Sequence, residues 1–166
     1  MFTFYKSHNN KLYNKLVELS RNIFFYKDLS LKDNFETRII LIFLHLSIIL
    51  ILVKKNKKKK FPQEIFDNIF LNIEYHLREL GYGDVAVNKK MKILNKIFYD
   101  ILLKIHSKKS DSFKINIKLI QKYLFDNSQN KDKIIVKIAN YFETFYNFCF
   151  VLDDDIMIKG NIDFKF

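Results

Sequence analysis

The sequence predicts an all-α fold: one helical domain over residues 1–166, with about five to six helices around an apolar central helix and an irregular or extended C-terminal tail. Three observations predict it. The chain of 166 residues holds one proline and three glycines, too few turn residues for an all-β protein. Apolar residues recur at three- and four-residue steps through most of its length, the period of a helix with one buried face. A hydrophobic content of 49%, with 18 Phe and 9 Tyr, excludes general disorder and supplies the bulk for a single core.

In chain order, Lys11 to Leu29 reads as a first amphipathic helix through Leu12, Leu16, Leu19, Ile23 and Tyr26, with Asn10 as its N-cap. Ser30 to Asn34 is a polar loop that offers Asp33 or Asn34 as the next cap. The second helix runs from about Phe35 to Val53. From Ile39 onward it is apolar on every side, interrupted only by His45 and Ser47. That run of 15 residues at about 1.5 Å each reaches roughly 22 Å, short of a hydrocarbon layer of about 30 Å, so it reads as a helix packed on several sides rather than a membrane span. Extending it backward would carry Arg38 into lipid.

Lys54 to Lys60, KKNKKKK, ends this helix, and Pro62 marks the start of the next. Phe66, Ile69, Phe70, Ile73, Leu77 and Leu80 place one face of that third helix inward, and Gly81 follows where a left-handed residue closes a helix. Val87, Met91, Leu94, Phe98, Ile101 and Ile105 resume the spacing beyond Gly83 and Asp84. Two helices joined by so short a glycine hinge are neighbours in space. Ser107 to Ser112 is a polar linker, Phe113 to Phe125 a further helix, Asp126 to Asp132 a second polar loop and Ile134 to Phe150 an aromatic-rich last helix. The alternating Ile156, Ile158, Ile162 and Phe164 suggest that the tail lies irregular or extended across the bundle.

The formal charge of +11 points to an acidic partner. Abundant Lys, Asn, Ile and Phe also fit AT-rich coding, which weakens that inference and draws attention to the three arginines, Arg21, Arg38 and Arg78. Lys54, Lys55, Lys57, Lys58, Lys59 and Lys60 form the strongest cationic cluster. They read equally as a solvated linker and as a contact to anionic lipid or RNA phosphates. No histidine pair has metal-binding spacing, no glycine loop cradles phosphate, and neither a cofactor nor an enzymatic activity is expected. His45 reads as a hydrogen-bonded core residue, Cys149 as a small buried hydrophobe, and Asp153-Asp154-Asp155 as a solvated loop. The first residues lack a cleavable targeting pattern, so the mature chain is expected to begin near Met1. Glu74 and Arg78 are four apart on one helix, and Arg78 and Asp84 bracket the glycine hinge; a bond from Arg78 to the hinge backbone or to Asp84 would fix how the two helices meet.

The segment FDNIFLNIEYHLRELGYGDVAVNKKMK, followed by Phe98-Tyr99, resembles the ubiquinol-cytochrome c chaperone family. The motif residues are Leu77-Arg78-Glu79-Leu80-Gly81, Gly83-Asp84, Lys89 and Lys92. Upstream, Tyr13, Leu16, Val17, Ser20-Arg21, Phe25-Tyr26, Asp33, Arg38 and Leu44-His45-Leu46 are similar to the family's first two helices. The resemblance is strongest from Tyr13 to Leu102 and thins beyond, with Gly160 and Phe164 echoing the closing segment. All three arginines fall at matching positions.

The resemblance implies a helical, non-enzymatic assembly factor that binds cytochrome b, or an early complex III intermediate containing it. It further implies contact with the ribosome and a small helical co-chaperone, whereas contact with an anionic membrane surface is an expectation from the lysine run Lys54 to Lys60. The expected location is the bacterial cytoplasm, peripheral to the inner membrane, the counterpart of the mitochondrial matrix for eukaryotic relatives. The expected partner-binding residues are Arg78, Asp84, Lys89, Lys90 and Lys92, with Arg38 and His45 behind them and Gly81 and Gly83 as the hinge. A membrane-surface or RNA-binding module built on Lys54 to Lys60 is the competing expectation.

Overall fold

A computed structural model describes residues 10–107, 112–126 and 131–166 and shows seven α-helices among them. The Asn10 side chain accepts the Tyr13 N–H at 3.0 Å and opens α1 (Lys11–Ser20), whose Leu12, Leu16 and Leu19 are buried. The first helix expected to reach Leu29 stops at Ser20. There the Ser20 hydroxyl donates to the Val17 carbonyl, and the Asn22 side chain accepts the Phe24 N–H. These local bonds offer the backbone an alternative to helix continuation. The chain resumes as a π-helical turn, Phe24–Asp28, and Ile23 is left exposed.

Asn34 caps α2 (Phe35–Asn56) by accepting the Thr37 N–H at 2.9 Å. At 22 residues this helix is about 33 Å long and, by length and composition alone, long enough to cross a membrane. In the fold it is the axis of the bundle. Thirteen of its residues are buried, on all sides, and α1 and four later helices pack around it. On one flank Phe43 meets Phe70 of α3 (Gln63–Glu79) and Phe98 of α4 (Asp84–Lys104), with centroids 5.8 and 5.2 Å away. On the other, His45 sits edge-on to Tyr141, Phe142 and Phe145 of α6 (Asp132–Phe150).

The helix expected from Phe113 is shorter, α5 (Ile117–Leu124), because the alternation of Phe113 and Ile115 belongs to extended chain: Ile115 forms a bridge with His106. The tail, expected irregular or extended, contains one short helix, α7 (Asp154–Ile158), and only then runs without regular structure. With α7 the described residues hold seven helices rather than five or six. The first residues of the chain and the middles of both polar linkers, 108–111 and 127–130, lie outside the described residues.

Gly160 ends α7 at a φ of +73°. Its N–H donates to the Met157 carbonyl and the Asn161 N–H to the Ile156 carbonyl, both at 3.0 Å, a Schellman closure. A Cβ at Gly160 would lie 2.7 to 2.8 Å from the Lys11 carbonyl oxygen and the Leu12 backbone, so only glycine lets the tail seat against the start of α1. Gly160→Ala is expected to destabilise the protein by about 2 kcal/mol or more, because left-handed strain adds to a backbone collision. Gly83→Ala, at a φ of −75° with open space around it, should stay within about 0.5 kcal/mol of the parent. Urea midpoints of the two variants check the contrast.

Candidate functional site

The site begins at the end of α3. Gly81 takes a φ of +95°, its N–H donates to the Arg78 carbonyl at 3.0 Å, and the Tyr82 N–H donates to the Leu77 carbonyl at 3.3 Å. This is a complete Schellman motif, so the glycine expected at the hinge is required at Gly81. Gly83 has extended backbone and occupies the N-cap position of α4, a conformation open to other residues. Leu80, expected on the buried stripe, is half-exposed because it caps the helix.

Arg78 spans the turn. Its guanidinium bonds Glu74 at 3.1 Å with one nitrogen and Asp84 with the other. Those two carboxylates, Asp84 foremost, raise the already high pKa of the guanidinium. A planar fork that holds one carboxylate from each helix is a task for arginine, which lysine cannot perform in the same way. Asp84 in the first turn of α4 and Arg78 in the last turn of α3 also complement the helix dipoles. The Lys90 ammonium lies 4.6 Å from the Tyr82 ring centre and pins the turn to α4.

With the turn so fixed, α4 buries Val87, Phe98 and Ile101 and presents the opposite face outward. That face carries Lys89, Lys92 and Lys96 together with Val85, Ile93, Tyr99 and Leu103, all exposed. Lys89 and Lys92 were expected in the surface; the exposed apolar residues between them were not. Their steps of three and four, offset from the buried stripe, are the signal that could have found them.

The remaining expected residues are distributed differently. Arg38 lies at the same end of the bundle, since Phe35, one turn before it, stacks on His76 of α3 at 5.3 Å. Its guanidinium is engaged by Asp33, at 2.6 and 2.8 Å. His45 is fully buried, with Nδ1 2.6 Å from the Leu41 carbonyl and Nε2 2.9 Å from the Tyr141 hydroxyl. A carbonyl only accepts, so Nδ1 carries the proton and Tyr141 donates to Nε2. His45 therefore supports the core and offers no atom to a partner. Burial pushes its pKa down to about 4 and raises that of Tyr141. The Cys149 thiol, pushed up to about 12 by burial, is a core group too.

The lysine run occupies the opposite end. Lys57 closes α2 in the left-handed region, at a φ of 54°. Lys59 binds Asp155 at 2.7 Å and holds that carboxyl below the usual range. Asn56 donates to Asp154 at 2.7 Å, so the acidic triplet expected to be a solvated loop is partly an anchor for α7. Among the described residues, no group of three His, Cys, Asp or Glu side chains converges as a metal site would require.

A sequence model described as ubiquinol-cytochrome C chaperone matches residues 27–164. The chain belongs to that family. The match runs almost to the last residue, so the C-terminal half, where the resemblance was expected to thin, is part of the family's domain; Tyr13 to Tyr26 precede it. No curated protein and no solved structure matches the chain significantly. Membership in the ubiquinol-cytochrome C chaperone family carries a chaperone or assembly role, which implies a client protein.

The buried imidazole makes stability depend on pH. His45 protonates near 6.5 in the unfolded chain and only near 4 when folded, so between these values the unfolded state binds the extra proton. Stability is expected to be full above about pH 6.5 and to fall toward pH 4 by up to about 1.4 kcal/mol per pH unit. His45→Phe should flatten that slope, although it leaves the Tyr141 hydroxyl unpaired at a cost of about 1–3 kcal/mol. Urea midpoints across this pH range measure both effects.

Proposed function

We propose that this chaperone binds newly made cytochrome b, or an early complex III intermediate that contains it, on the surface formed by the α3–α4 turn and the outer face of α4. The observation that carries this reading is the alternation of Val85, Ile93 and Tyr99 with Lys89, Lys92 and Lys96 on one exposed helix face, in a chain of this family. A client on its way into a membrane exposes apolar helical surface. An apolar stripe flanked by cations can cover such a surface and stay soluble when empty. The Arg78 fork sets the position of α4 against α3 and so decides which lysines face the client. The bacterial cytoplasm beside the inner membrane is the location that suits this work, within reach of the ribosome. A small helical co-chaperone would share the task.

Co-purification of cytochrome b from respiring cells tests the proposal. The triple variant Lys89→Glu, Lys92→Glu, Ile93→Asn should lower the cytochrome b recovered by about tenfold or more, as expected for central interface positions. The same kind of change on an exposed part of α6, Val136→Asn with Lys137→Glu, should leave recovery unchanged. Arg78→Lys should reduce recovery severalfold while leaving the urea midpoint nearly unchanged, because the pair with Glu74 and Asp84 is on the surface. Equal recovery from all of these proteins would refute the assignment.

A further inference from the structure

At the end of the bundle away from the α3–α4 turn, the last turns of α2 and α4 and the chain entering α3 enclose a groove of about 630 Å³. That is within the range of about 300–1,000 Å³ typical of small-molecule sites. Its floor is apolar, built by Leu50, Ile51, Phe61 and Leu102, and Leu103, 76% exposed, forms an apolar lip. Its rim is cationic, with Lys54, Lys57, Lys58 and Lys60. Lys59 also lines the groove but is engaged by Asp155. Among the described residues no carboxylate lies within ion-pair distance of the four rim lysines, whereas acidic side chains elsewhere neutralise Arg38, Arg78, Lys104, Lys114 and Lys122. Lys58 also faces the neighbouring cavity that holds Asp153, Asp154 and Asp155, but without an ion pair, and an apolar trough rimmed by such cations is complementary to an anionic amphiphile.

We infer that this groove is a docking site for an anionic phospholipid at a membrane surface, with an acyl chain against Leu50, Ile51, Leu102 and Leu103 and the headgroup phosphate among Lys54, Lys57, Lys58 and Lys60. Three features favour lipid over other anions. The floor is mostly aliphatic, suited to acyl chains, whereas single-stranded nucleic acid is held by aromatic faces on which bases stack. The cations are all lysines, strongly hydrated point charges suited to the diffuse field of a headgroup layer rather than to bidentate recognition of one carboxylate. Apolar insertion beside a polybasic patch is the two-signal arrangement that gives stable peripheral membrane binding. The site stands on the groove alone, whatever the client held at the other end of α4.

Sedimentation of the full chain with vesicles tests it, using phosphatidylcholine alone and phosphatidylcholine mixed with phosphatidylglycerol over a salt series. Binding is expected only to the anionic vesicles and should weaken steeply between about 0.05 and 0.5 M salt. Lys58→Gln with Lys60→Gln should lower partitioning by about 25-fold, some fivefold for each charge lost. Leu103→Asn, which leaves every charge in place, should lower it severalfold. All three positions are exposed, so unchanged thermal melts will show that the variants are folded. Equal binding to both vesicle types would overturn the inference. So would normal binding by Leu103→Asn, which would reduce the contact to adsorption by charge. Tighter binding to single-stranded RNA lost in the lysine variant, or a dimer abolished by Leu103→Asn, would assign the groove to another occupant and overturn it likewise.

Discussion

Burying α2 on every side is the constraint on which the rest of this fold depends. An amphipathic helix needs one neighbour, but a helix with Leu41, Phe43, His45, Leu46 and Ile48 all inside needs a sleeve. The chain provides it from both directions. Helices α3 and α4 close one flank with the Phe43, Phe66, Phe70 and Phe98 rings, and the π-helical turn, α6 and the tail close the other with Phe25, Tyr141, Phe145 and Phe164. A polar group on such a helix has to be satisfied internally. His45 meets that demand by donating to its own helix at Leu41 and accepting from Tyr141, which couples α2 to α6 by geometry as well as by apolar contact.

The same constraint explains why glycine matters at two positions and not at the third. Gly81 turns α3 back into α4 so that both can cover one flank of α2, and Gly160 folds the tail back onto α1 so that Met157, Ile158 and Ile162 can cover another. Each ends its helix with the same pair of backbone bonds, and each needs a positive φ to form them. They differ in what surrounds them. Gly81 projects into solvent, so its demand is conformational alone, while Gly160 sits against the α1 backbone and is constrained in space as well.

Features encoded within one or two helical turns were legible in the sequence. The caps at Asn10 and Asn34, the buried faces of α3 and α4, the hinge at Gly81 and the Arg78 to Asp84 bond all depend on residues at most six apart. Local signals compete at two places: apolar spacing extends the first helix past Ser20, but side-chain bonds from Ser20 and Asn22 interrupt it, and the alternation of Phe113 and Ile115 runs directly into the helical spacing of Ile117, Ile120, Tyr123 and Leu124, so the extended pairing of Ile115 is hidden beside a helix. Features made by distant residues left no local trace. Tyr141 is 96 residues from His45, and Leu50 and Leu103 line one groove only because α2 and α4 pack side by side. The lysine run was visible as charge. Its division into Lys59 on Asp155, Lys55 over the Phe150 ring, and a rim of Lys54, Lys57, Lys58 and Lys60 that makes no ion pair among the described residues required knowing where Asp155 and Phe150 lie.

Helix α4 gives this molecule its polarity. Its first turn is held by the Arg78 fork and its last turns are tied to α5, where Asp100 accepts from Lys104, Lys122 and Tyr123 and is held well below the usual carboxylate range by those three donors. The buried stripe of Val87, Phe98 and Ile101 sets which face of α4 looks inward, and these surface bonds tie its two ends to α3 and α5. Val85 and Leu103 are 18 residues apart on the same outer face, about 27 Å along the axis, so the apolar and cationic stripe near the turn leads into the lip of the lysine-rimmed groove. A bilayer surface docked at the groove beside Leu103 would therefore leave the Lys89 and Lys92 turn on the far side, at a distance set by the length of α4. A polypeptide entering the same membrane would meet the stripe first and the lipid last. The rigidity of α4 and the placement of its two clamps thus supply an orientation that composition alone could not.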